Sequence, residues 1–224
     1  MIRFEICDDA EAAARATARL LAEAAEAGGD IALSGGSTPG RSYELAAAAD
    51  WSRARVWWND DRCVPPDDER SNYRLVEETL LDRLAAQPEV HRVHGELPAE
   101  EAAAAYDREL EGVTLALTLQ GIGPDGHTSS LFPGFPSLDE RERRALATPA
   151  GFEPFVDRVT MTIPVLRAAR LVCFLVTGAD KAEIAARALA GPADPAIPSS
   201  LVRSESGETV AILDRAAASA LDRR

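Results

Sequence analysis

The chain has 224 residues, 46% hydrophobic and 27% charged, which is the composition of a folded globular protein and excludes an intrinsically disordered one. Its 24 Lys and Arg against 37 Asp and Glu give a net charge of −13, which excludes a general affinity for nucleic acid or an anionic membrane, so an anionic ligand must be held by a local site. Cys7, Cys63 and Cys173 are odd in number and widely spaced, which argues against a disulfide framework or a zinc site, and no stretch approaches the roughly 18 apolar residues of a membrane span.

The expected compartment is therefore the cytoplasm, and the expected organisation is a single domain over residues 1–224. In chain order, Ile2 to Cys7 reads as a strand. Asp8 or Asp9 caps an Ala-rich helix through Ala27, which Gly28 and Gly29 terminate. Ile31 to Leu33 is a short apolar strand, followed by a Gly-rich turn and a helix from Pro39 to about Ala49. Val56 to Trp58 is a third strand. The loop from Asn59 to Arg70 leads to a helix opened by Ser71, with Tyr73, Val76, Leu80, Leu81 and Leu84 on one face. An extended piece at Val90 to Val93 and a helix from Pro98 to Leu110 precede the strand Leu115 to Leu119 and a glycine-rich loop, Gly121 to Gly134. Pro133 to Asp157 is irregular and reads as a surface excursion or lid. Strands follow at Val159 to Ile163, Leu171 to Val176 and Val210 to Leu213, with helices at Asp180 to Ala190 and Asp214 to Leu221. This alternation predicts an α/β three-layer sandwich, a mostly parallel Rossmann-like sheet with helices on both faces. Ligands of such sheets bind outside the carboxyl ends of the strands.

Four loops at those ends carry candidate chemistry. In Ser34-Gly35-Gly36-Ser37-Thr38-Pro39, the glycines let the backbone approach a ligand, Ser37 and Thr38 add hydroxyls, and N–H groups at the helix start suit a phosphate. A tight turn alone would use the same glycines. Gly121, Gly123 and Gly126 satisfy G-x-G-x-x-G, but a dinucleotide fingerprint opens a long helix, which Phe132-Pro133-Gly134 prevents. This loop instead presents His127 beside Asp125, an imidazole suited to take a proton from water with a carboxylate to orient it. His91 and His94 lie in a polar connection and read as surface residues. In Asn59-Asp60-Asp61-Arg62-Cys63, the charged residues suit sugar hydroxyls or phosphate, and no feature selects Cys63 as a nucleophile. Lys181, the only lysine of the chain, opens a helix after an apolar strand, and Arg158 offers a guanidinium for bidentate phosphate contact.

Taken together, SGGSTP (34–39), NDDRCVP (59–65) with SNY (71–73), GIGPDGHTSSLFPG (121–134), RVTMT (158–162) and GADKA (178–182) resemble the 6-phosphogluconolactonase family, within the glucosamine/galactosamine-6-phosphate isomerase superfamily. The match spans nearly the whole chain. The family usually has Gly-Asp-Glu-Arg where this chain has Asn59-Asp60-Asp61-Arg62, and Ala-Ser where Ser129-Ser130 stand. The resemblance implies hydrolysis of 6-phospho-D-glucono-1,5-lactone to 6-phosphogluconate in the oxidative pentose phosphate pathway, with no metal or organic cofactor. It implies His127 as general base, Asp60 facing the sugar ring, and substrate bound by Gly35, Gly36, Ser37, Thr38, Arg62, Gly126, Arg158 and Lys181. A monomer or weak homodimer is expected, with a small-molecule sugar phosphate as its only partner class.

Two alternatives differ in class. Glucosamine-6-phosphate deaminases resemble this chain in their glycine loops but carry Phe-Asn-Glu-Pro after the histidine, and Phe132, at the position of that glutamate, transfers no protons. A non-catalytic sugar-phosphate sensor predicts a DNA-binding appendage or basic face, and neither is apparent in the sequence.

Overall fold

The computed structural model describes residues 2–221; Met1 and residues 222–224, the ends of the expected 1–224 domain, lie outside the described residues. Strands β1 (Ile2–Cys7), β2 (Asp30–Leu33), β3 (Arg55–Trp58), β5 (Glu89–His91), β6 (Leu117–Gln120), β9 (Leu171–Val176) and β10 (Glu208–Asp214) form one parallel sheet in the order β1-β10-β9-β6-β2-β3-β5. Strands β4 (Asp60–Arg62), β8 (Arg158–Met161) and β7 (Ala145–Thr148) form a small antiparallel sheet in the order β4-β8-β7. The helices are α1 (Ala10–Ala27), α2 (Gly40–Ala46), α3 (Asn72–Thr79), α4 (Ala99–Glu109), α5 (Ile163–Ala168), α6 (Ala182–Ala185) and α7 (Arg215–Ala218). No helix among the described residues is long and apolar enough to cross a membrane.

The period of the parallel strands makes the layers. Ile31, Leu33, Val56, Trp58, Leu117, Leu119, Cys173, Leu175, Val210 and Ile212 point to one face, where they pack with Leu21 of α1, Tyr43 of α2 and Val76 of α3. Their neighbours Ala32, Trp57, Val172, Phe174, Ala211 and Leu213 point to the other, against α4, α5, α6, α7 and the small sheet. Adjacent Trp57 and Trp58 thus anchor opposite layers, as alternation along a strand requires.

Local signals set the ends of the elements. Asp9 is the N-cap of α1, accepting from Ala12 N at 2.7 Å, and Gly28 ends that helix at φ +78°. Ser71 caps α3. The second helix begins at Gly40 with Pro39 as its N-cap and stops at Ala46, shorter than expected.

Two expectations need correcting. The strand near Val159 to Ile163 is β8 and belongs to the small sheet, because β4 turns out of the main sheet after Asn59 and takes β8 as its antiparallel partner. The stretch Pro133 to Asp157 is only partly a surface excursion: it contains β7, whose Ala145 packs into the core and whose Leu146 is also buried.

Candidate active site

Strand β2 has β3 on one side and β6 on the other, so the chain changes direction across the sheet at the β2/β6 pair. A crevice at the carboxyl ends is the geometric result. Two buried tyrosines fix the strand ends that border it. Tyr43 Oη donates to the Ser34 carbonyl at 2.7 Å and accepts from Ser34 N at 3.0 Å. Tyr106 Oη does the same for Trp58, at 2.8 and 2.9 Å. Burial pushes both phenols above their ordinary range, so both keep their donor proton at neutral pH.

A cavity of about 330 Å³ opens over these ends. Of the residues expected from the sequence, Gly35, Gly36, Ser37, Thr38, Asp60, Arg62, His127, Arg158 and Lys181 line it. Gly126 does not. Its φ is +87°, and a Cβ there would meet Ile197 Cγ2 at 2.8 Å, so it shapes the loop from beneath and faces the core instead of the cavity.

His127 is held from three directions. Its Nδ1 meets Asp125 Oδ1 at 2.5 Å, and its backbone N–H donates to the same oxygen at 3.1 Å. Its ring leans on Phe132 and Phe152, with centroids 4.9 and 5.6 Å away. On another side lies Gly123, where a Cβ would stand 2.1 Å from ring atoms Nδ1 and Cε1. Partial burial raises the Asp125 carboxyl, but the hydrogen bonds from the His127 side chain and backbone outweigh it and hold Asp125 below the usual carboxylate range. In a neutral imidazole, an anionic Asp125 favours the proton on Nδ1 and leaves the lone pair on Nε2.

The adjacent aspartates have different surroundings. Asp60 borders the cavity, accepting from Ser130 Oγ at 2.5 Å through one oxygen, with Asn72 Nδ2 at 3.5 Å from the other. Asp61 points away, to the start of α3, where it accepts from Asn72 N, Tyr73 N and Ser71 Oγ at 2.6, 3.0 and 3.2 Å. Burial pushes its carboxyl up to about 6 against the pull of the backbone hydrogen bonds.

Arg62, Arg158 and Lys181 gather on the cavity wall, where Asp60 and Glu153 also stand. Arg62 and Arg158 are direct partners across the β4/β8 ladder. Arg62 spends one N–H on the Arg70 carbonyl, and Arg158 donates to the Phe152 and Pro154 carbonyls at 2.6 and 3.0 Å. Each keeps a buried Nε with no partner. Among the described residues neither they nor Lys181 form an ion pair. Burial lowers the Arg158 guanidinium from its ordinary range, yet it stays charged. In the same cavity, the N–H groups of residues 35–38 make no hydrogen bond among the described residues, an arrangement suited to an anion.

Several site residues were not singled out from the sequence. Asn72 and Gln120 line the cavity, Ser130 holds Asp60, and Phe152 and Glu153 come from the irregular stretch. Asn72 lay within the SNY motif; its contact with Gly35, where a Cβ would overlap its Oδ1 at 1.7 Å, is a long-range one that no local pattern encodes. The other chemistry-bearing candidates fall outside. His91 stacks on Trp57 at 4.0 Å, His94 pairs with Glu96, and burial pushes the Cys63 thiol up to about 11, far from a thiolate at neutral pH.

Comparisons with known proteins place the chain in a family. The chain is 34% identical over 243 residues to a 6-phosphogluconolactonase of Streptomyces coelicolor, covering 98% of this chain and 92% of that protein. It is 39% identical over 203 residues to the human 6-phosphogluconolactonase, covering 84% and 79% of the two chains. The solved structure of 6-phosphogluconolactonase from Trypanosoma brucei superposes with a TM-score of 0.88 at 26% identity, covering 99% of each chain. The sequence model of glucosamine-6-phosphate isomerases/6-phosphogluconolactonase matches residues 8–211, and the chain belongs to that family.

Proposed function

We propose that this chain hydrolyses 6-phospho-D-glucono-1,5-lactone to 6-phospho-D-gluconate, with His127 as the general base. The observation that carries the reading is the placement, in one cavity, of an imidazole tied to Asp125 and three cations without carboxylate partners. A phosphate on Arg62, Arg158, Lys181 and the N–H groups of residues 35–38 leaves the lactone ring toward His127. Nε2 removes a proton from water as its oxygen bonds to the C1 carbonyl carbon, and the electron pair of the C=O bond moves to oxygen. N–H groups of the glycine loops stabilise that oxyanion, an effect worth about 3 kcal/mol per donor in other enzymes. Collapse breaks the C1–O5 bond, and the proton on Nε2 passes to the departing ring oxygen, which leaves as the 5-hydroxyl. Asp60, steadied by Ser130, faces the sugar hydroxyls.

The expected setting is cytoplasmic, as a single domain and a monomer or weak homodimer, with no metal or organic cofactor: the chemistry requires only a base, an oxyanion site and a phosphate anchor. Deamination is disfavoured by Phe132, which packs on His127 and offers no proton.

The reading is tested by generating the lactone freshly from glucose 6-phosphate and following its hydrolysis against the spontaneous rate, with and without EDTA. Acceleration that survives EDTA is expected. No acceleration, with ammonia released from glucosamine 6-phosphate, would replace it by the deaminase; neither reaction, with 6-phosphogluconate still bound, would make the chain a sensor.

A further inference from the structure

One buried chain of side-chain hydrogen bonds joins the carboxyl ends of three parallel strands to the histidine loop. Asn59 Nδ2 donates to the Leu119 carbonyl at 2.5 Å and to Ser34 Oγ at 3.1 Å. A carbonyl only accepts, so the Asn59 amide has one orientation, and its Oδ1 faces Thr118. Thr118 Oγ1 gives its single proton to Asn59 Oδ1 at 2.7 Å and therefore accepts from Gln120 Nε2, also at 2.7 Å. That turns Gln120 Oε1 toward Thr128 Oγ1 at 2.6 Å and Ser129 Oγ at 3.0 Å, the two residues that follow His127.

All members except Ser129 are buried, so each step excludes its reverse at the cost of an unpaired polar atom. Ser129 also holds φ +51°, and it is the one non-glycine residue with positive φ among the described residues. Side chains avoid that region unless their surroundings impose it. The hydroxyl bond to Gln120 is such a constraint, two residues from the imidazole.

We propose that Gln120 is a positioning residue for His127: its amide oxygen, oriented through Asn59 and Thr118, holds Thr128 and Ser129 and thereby sets the imidazole over the cavity. The proposal rests on the general-base reading above. Gln120 borders the cavity as well, and a substrate-contact role makes a different prediction, a change in KM.

The test compares wild type, Gln120→Leu and Gln120→Glu by steady-state kinetics on the freshly made lactone, with a thermal melt of each. Gln120→Leu removes both polar ends while Thr128 keeps the Gly121 carbonyl at 2.8 Å as an acceptor, so the fold persists. Its kcat is expected to fall about tenfold to a hundredfold, with KM within about twofold of wild type. In Gln120→Glu the protonated carboxyl reproduces the donor and acceptor of the amide, and the ionised one presents two acceptors and breaks the bond from Gln120 to Thr118. The ratio of variant to wild-type kcat is expected to rise at least about fivefold between pH 8 and pH 5.5. Asp60, Arg62, His127, Glu153, Arg158 and Lys181 border the same cavity in both enzymes, and the ratio removes the part of their titration that the substitution leaves unchanged. An unchanged kcat in a folded Gln120→Leu, a change in KM alone, or a flat ratio for Gln120→Glu overturns the proposal; if Gln120→Leu fails to fold, the ratio carries the test. Wild type without lactonase activity would instead remove the underlying functional reading and leave no kcat to compare.

Discussion

Arg62 and Arg158 face each other across the β4/β8 ladder, two like charges paired at a position where opposite charges are the stabilising choice. Neither has a carboxylate partner among the described residues, and each has a buried Nε without an acceptor. In the function proposed above, a phosphate dianion lies between them and Lys181. Asp60 and Asp61 offset the repulsion between the two arginines in part, without forming an ion pair to either guanidinium.

That relation predicts the behaviour of Arg62→Met. KM for the lactone rises about tenfold to a hundredfold, the range of a lost charged hydrogen bond, while kcat changes less than KM. The free protein melts at or above the wild-type temperature, and the stabilisation that 6-phosphogluconate gives to wild type shrinks. Steady-state kinetics and thermal shift with and without 6-phosphogluconate measure both; an unchanged KM contradicts the assignment.

Gly123 predicts a variant that folds but works poorly. A Cβ there lies 2.1 Å from His127 Nδ1 and Cε1, so the ring must shift to admit it. Gly123→Ala is expected to lower kcat about a hundredfold with little change in melting temperature. Loss of activity that merely follows unfolding, seen as a collapsed melt, would place Gly123 in the fold and not in the positioning of the base.

Asp61 predicts a pH dependence of stability. Its carboxyl stands at about 6 when folded, raised by burial from an ordinary 3.8. A carboxyl with a raised folded pKa binds its proton more tightly in the native state, so the stability it contributes is fully present below pH 4 and is lost as pH climbs through 6. Relative to Asp61→Asn, which carries no titrating group, wild type should lose about 2 kcal/mol between pH 4 and pH 7. Urea unfolding of the two proteins at both values checks this, and a difference independent of pH contradicts it.

The parallel sheet and its helices were legible because apolar runs such as Leu171 to Val176 and caps such as Asp9 and Gly28 are local signals. The small sheet was not. Its β4 is three charged residues, Asp60-Asp61-Arg62, without any alternation of apolar and polar, and its pairing with β8 spans about a hundred residues of sequence. The loops that line the cavity were legible from their glycines and charges. The division of labour between Asp60 and Asp61 was not, because it depends on where α3 comes to rest. Asn59 and Ser129, two of the three departures from the family pattern, lie in one hydrogen-bonded chain through Thr118 and Gln120 that only the folded molecule brings together.

The central claim is that His127 removes the proton of the attacking water, and turnover of the fresh lactone by His127→Ala tests it most directly. The account predicts a kcat lower by about a hundredfold to ten-thousandfold, with 6-phosphogluconate still bound through Arg62, Arg158 and Lys181. Turnover close to wild type in a folded His127→Ala protein would contradict it.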